Sequence, residues 1–135
     1  MKFIIAALAL VASTAFAQSK YSGSPDFVNI NLSGRLNEAK GVAVNTGATT
    51  DLSSVAGNLV HVVGTTTITS FGTASQAGIM RHVIFDGVTS VFNGSSLVIP
   101  GNANIITEAG DSAVVVADSL TKWIIFSYTR KAVAP

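Results

Sequence analysis

From residue 52 onward, short runs of Val, Ile, Thr and Phe are broken by Gly, Asn, Asp or Pro about every 8 to 12 residues, the spacing of a sandwich or barrel of short strands. The runs at residues 59–63, 65–71, 79–85, 89–92, 97–99, 104–107, 113–117 and 122–130 are each predicted as strands. Asp86-Gly87 and Asn93-Gly94 are turn dipeptides, because the first residue tolerates a positive φ and glycine adopts it freely. Pro100-Gly101 ends a strand, since proline cannot donate to a ladder. No window after residue 52 carries a 3.6-residue apolar period with helix caps. The expected fold class is all-β, a small antiparallel β-sandwich or jelly-roll-like module over residues 52–135.

Strict alternation along residues 122–130 places Trp123, Ile125, Ser127 and Thr129 on one face and Ile124, Phe126, Tyr128 and Arg130 on the other. Both faces are apolar in the middle, and a strand apolar on two faces is covered on two faces, by its own core or by a neighbouring subunit. The indole of Trp123 carries a large apolar surface and an N–H that needs one partner. Gly72 and Gly78 frame a polar loop that reverses the chain, and Asp111 follows Gly110 in a turn where its carboxylate can accept local backbone N–H groups.

Residues 18–51 are rich in Ser, Gly and Asn and read as an extended polar arm. Within it Phe27, Val28, Ile30 and Leu32 are spaced by Asn29 and Asn31, a half-buried strand pattern. Residues 34–41, which hold most of the early charge, are expected as a loop. At the N-terminus, Lys2, an apolar stretch at 3–12 and Ala15-Phe16-Ala17 before Gln18 have the layout of a secretory signal peptide. The stretch is short for a stable transmembrane anchor, which takes about 17 to 25 apolar residues. Residues 1–17 are therefore expected as a leader, or as an apolar arm retained in an assembly.

Composition sharpens this. With 135 residues the chain fits one domain, and it is 48% hydrophobic but only 11% charged, against roughly 25% charged in an average soluble domain. So little charge cannot cover the surface, which points to partners over part of it. The formal charge is +1, and loss of Lys2 with the leader would leave 7 basic against 7 acidic residues. Neither nucleic acid nor an anionic membrane is favoured as a partner. There is no cysteine, so no disulfide or thiolate metal site contributes.

Catalytic chemistry finds little support. Gly110-Asp111-Ser112 looks like the start of a serine-hydrolase block, but Ala113 follows and no Asp-x-x-His lies near the C-terminus. His61 and His82 lie inside predicted strands with no second ligand at i+2 or i+4. Asp86, Asp111 and Asp118 match no calcium loop, and no glycine-rich phosphate loop is present. No cofactor and no enzymatic activity are expected.

The order Thr67-Ile68-Thr69-Ser70-Phe71-Gly72-Thr73-Ala74, Gly78-Ile79-Met80-Arg81, Phe85-Asp86-Gly87, Ser96-Leu97-Val98-Ile99-Pro100-Gly101, Ile105-Ile106-Thr107, Ala109-Gly110-Asp111, and Trp123 with Ser127-Tyr128 resembles a C-terminal module of tailed-bacteriophage tail fibres, tail spikes and head decoration proteins. It spans residues 65–130. The resemblance implies a non-enzymatic, β-rich homotrimer on the outside of the virion. The export-like leader and the missing upstream shaft depart from a fibre, so a compact capsid decoration (cement) protein or short appendage subunit is expected, with the major capsid or tail protein as partner. The assembly interface is expected at Trp123, Phe126 and Tyr128, joined by Phe27 and Ile30 of the arm. The alternative is an exported, secreted or periplasmic surface protein that binds a host glycan through the loops at 73–77 and 94–96.

Overall fold

The computed structural model describes residues 38–132, so the expected leader at residues 1–17, Phe27 and Ile30 lie outside the described residues. Eight strands account for most of the regular structure: β1 (Val44–Asn45), β2 (Leu59–Val63), β3 (Met80–Phe85), β4 (Ser90–Val91), β5 (Leu97–Val98), β6 (Ile105–Ile106), β7 (Asp111–Ala117) and β8 (Trp123–Thr129). One 3-10 turn spans Pro100–Asn102, and the described residues contain no α-helix. The all-β expectation holds, and most predicted runs became strands. The 65–71 run instead contributes isolated bridges at Ile68 and Ser70.

The pairing differs from the antiparallel expectation. Six strands form one mixed sheet in the order β1-β2-β3-β7-β8-β5, while β4 and β6 pair separately. β1, β2 and β3 are parallel, with Val44 opposite Val62 and Val62 opposite Phe85. One full turn of chain thus separates each rung from the next. The same winding recurs beside the sheet, where Thr49 pairs with Ser70 and Ile68 with Val91, again parallel. The N–H groups of Thr50, Ile68 and Phe92 donate to the carbonyls of Ser70, Ser90 and Ile68 along this second layer.

The chain therefore coils through three stacked turns, and the predicted turn residues serve as corners of a coil instead of hairpin tips. The corners stack tightly. A Cβ on Gly64, whose φ is +116°, would stand 2.4 Å from Oγ1 of Thr46, and one on Gly87 would stand 2.7 Å from the carbonyl oxygen of Gly64. Only glycine lets these backbones approach so closely. After the third turn the chain reverses: β6 runs antiparallel to β4 and β7 antiparallel to β3, and β8 returns along β7.

The boundary expected at residue 52 falls inside this coil. Lys40 bridges Leu59, β1 pairs with β2, and Thr50 is fully buried. Residues 40–51 read as an arm because a rung needs only a few paired residues. Their polar side chains point outward or, like Thr50 Oγ1 on the carbonyl of Gly47, satisfy themselves locally.

The core lies between the inner face of the sheet (Val60, Val62, Val83, Phe85, Val115, Trp123, Ile125) and the coil's other segments (Leu52, Ile68, Phe71, Val91, Ile99), all buried. Each such side chain contributes about 1.5–3 kcal/mol by leaving water. Trp123 is fully buried, meets Phe71 edge-to-face at 6.3 Å between ring centroids, and donates its indole N–H to the Gly72 carbonyl at 2.8 Å. Arg81 fastens the first return loop: Nε donates to the carbonyl of Leu52, Nη1 to Oδ1 of Asn58 and Nη2 to the carbonyl of Val55.

Candidate assembly surface

The opposite face of the sheet carries a second apolar surface. Cross-strand register lines up Met80 with Val116, Val116 with Ile124 and Ile124 with Val98. These four apolar side chains lie on four adjacent strands, a row about 14 Å long at the usual strand spacing. The next row, Leu59, His82, Val114 and Ser127, is mixed. Met80 is 48% exposed.

Strict alternation fails inside β8. Val115 lies opposite Ile125 but Val114 lies opposite Ser127, so Phe126 is an extra residue, a β-bulge that shifts the phase of everything after it. Tyr128 consequently pairs with buried Ala113 and packs against the core, on the same face as Trp123 and Ile125. Phe126 is left 74% exposed. The expected interface set therefore divides. Trp123 is wholly inside the chain's own fold and is a core residue, Tyr128 is committed to the core edge, and of these three Phe126 alone is available on the outside. The bulge has no sequence signature. Met80, Val98, Val116 and Ile124, which sequence reasoning missed, share a row only through register.

Phe126 stands between two grooves. One, about 320 Å³, is walled by Met80, Val116, Ile124 and Phe126 itself, with Asp118 at its rim. The other, about 380 Å³, lies towards Pro100, Asn104 and Tyr128. Two polar atoms near the second groove are engaged within the chain: the Tyr128 hydroxyl donates to Asp111, and Asn104 Oδ1 accepts the Asn93 backbone N–H. Charges beside the surface are paired as well, Lys122 with Asp118 at 2.9 Å and Arg130 with Glu108 at 3.7 Å.

Asp111 itself is buried and accepts from the amides of Glu108 and Lys131 in addition to Tyr128. Burial alone would push its carboxyl up, but the bonds from Tyr128 and those two amides, with the nearby Arg130 charge, hold it below the usual carboxylate range. Burial and the bond to Asp111 hold the Tyr128 hydroxyl well above the usual phenol range. The local turn role expected of Asp111 is present, widened into a link between the start of β7 and the end of β8.

Neither histidine lies in a group of three His, Cys, Asp or Glu side chains among the described residues. Nδ1 of His61 meets the Asp86 carboxylate at 2.9 Å on the outer face, the geometry that orients a general base. Ser112 is in the same row, but Ile84 stands between them, which puts them about 10 Å apart by strand spacing. That is beyond the reach of a nucleophile and its base. Among the described residues, no three His, Cys, Asp or Glu side chains converge as metal ligands. The apolar row with its bulged phenylalanine is the surface feature best suited to a role.

No family model, curated protein or solved structure matches this chain.

Proposed function

We propose that this chain is a non-catalytic structural subunit of a virion surface, a capsid decoration protein or short head or tail appendage. It acts as a homotrimer and through contacts with neighbouring shell subunits. The observation that carries the reading is the 74% exposure of Phe126 beside an apolar row spanning four strands. An isolated exposed apolar residue is ordinary, but an apolar row bordered by grooves marks a surface meant to be covered. The order of short motifs over residues 65–130 supports placing the subunit on a phage particle. A glycan-binding role fits less well, because the Tyr128 hydroxyl beside Phe126 is spent on Asp111 within the chain.

Light scattering of the purified protein over a range of concentrations tests the proposal. The expected particle mass is three times that of the chain, which is 13.8 kDa before any loss of the leader. A monomer at every concentration overturns it.

A further inference from the structure

We propose that the Phe126 ring of one copy docks into the groove formed by Met80, Val116 and Ile124 of another copy. The inference rests on the self-assembly reading above and adds the surface and the mode of contact. The occupant is argued from the surface itself. First, the shapes match: the bulge lifts Phe126 out of the sheet, and the groove of about 320 Å³ that one side of this ring walls is otherwise lined by Met80, Val116 and Ile124, with Asp118 at its rim, leaving space for the ring of a second copy to stack against it. An apolar cavity of about 150 Å³ is enough to hold benzene, so the groove accepts a phenyl ring.

Second, the surface selects a neutral partner. The one charged residue lining the groove, Asp118, is paired with Lys122 at 2.9 Å. A nucleic acid, an acidic peptide or a basic peptide would find no unpaired counter-charge there. A partner face must be apolar and neutral, and the chain's own outer face meets both conditions. Third, knob and groove adjoin on every copy. A closed ring of copies then fills every groove and buries every Phe126 with one repeated contact, whereas a contact that does not close would leave an end open.

The absence of cysteine in the chain allows a clean test. Two single-cysteine variants are prepared, Ser127→Cys beside the knob and Val42→Cys on the far side of the sheet order, where the side chain is 76% exposed. Each is treated with a short bis-maleimide, alongside light scattering of Phe126→Ser. The expected result is a crosslinked species from Ser127→Cys, none above background from Val42→Cys, and a several-fold weaker association for Phe126→Ser with unchanged far-UV circular dichroism. Assembled wild type that crosslinks through Val42→Cys and not Ser127→Cys would overturn the docking mode while leaving self-assembly intact. A monomeric wild type would overturn both. Because the cysteine variants keep Phe126, they decide the question even if Phe126→Ser does not fold.

Discussion

Tyr128 donates its hydroxyl to Asp111 at the start of the preceding strand, and does so only because the bulge at Phe126 turns Tyr128 to the inner face of the sheet. The same irregularity that exposes one aromatic side chain thus commits the next to a buried carboxylate. Tyr128→Phe removes the donor and leaves Asp111 with two amides. It should cost about 1–3 kcal/mol, the usual range for a buried acceptor losing a partner, measured by urea unfolding. Association should be untouched, which separates Tyr128 from Phe126.

The pH dependence follows from the lowered pKa of Asp111. The folded state binds this proton less readily than the unfolded chain, so the unfolded state takes up more protons as the pH falls, and stability falls with it. The stabilisation is fully present above the unfolded carboxylate value of about 3.9 and is lost as the pH drops through the folded value. Asp111→Asn should be less stable than wild type at neutral pH, and the gap should narrow below about pH 4. Thermal melts across that range check it; a gap that widens on acidification would refute the assignment.

Trp123→Phe should lower stability by about 2–3 kcal/mol, through the space vacated and the unpaired carbonyl of Gly72. Denaturant titration measures this. The particle mass should not change, because Trp123 is wholly internal.

At the corners, Gly87→Ala pushes a methyl group to 2.7 Å from a backbone oxygen that cannot swing aside. A loss of about 1–3 kcal/mol is expected. Gly94→Ala meets nothing within 4 Å and should stay within about 0.5 kcal/mol of wild type. Melting temperatures of the pair test whether the coil's corners, and not turn glycines in general, are constrained.

Arg81→Met keeps the aliphatic stem but removes three donors from the loop that carries Leu52 and Val55. The expected cost is about 2 kcal/mol, with faster hydrogen exchange at residues 51–58.

Strand positions were legible because Val, Ile and Phe alternate with polar residues wherever one side of a strand is buried; every strand from β2 to β8 overlaps a predicted run. Direction of pairing was not legible. Val60 and Val62 face inward whether their neighbour runs parallel or antiparallel, and the Asp86-Gly87 dipeptide suits a coil corner as well as a hairpin. Nor does the winding leave a repeat in the sequence, since successive turns differ in length and share no motif. The candidate surface was half legible. Phe126 stands out as an apolar residue in a strand apolar on both faces, but its separation from Tyr128 depends on a bulge formed against Val114 of the neighbouring strand, and no local pattern encodes that.

The reversal after the third turn has a consequence for biosynthesis. The parallel rungs pair across a full turn of chain, whereas β7 and β8 are joined by a short loop in which Asp118 and Ser119 donate to the carbonyl of Lys122. The segment best able to form by local contacts therefore leaves the ribosome after the rungs that depend on distant ones. Until Trp123 emerges, the carbonyl of Gly72 and the edge of Phe71 wait without their partner. A nascent chain stalled before that point lacks β8, so the inner face of the sheet is left without Trp123 and Ile125, and folding waits on synthesis running through that strand.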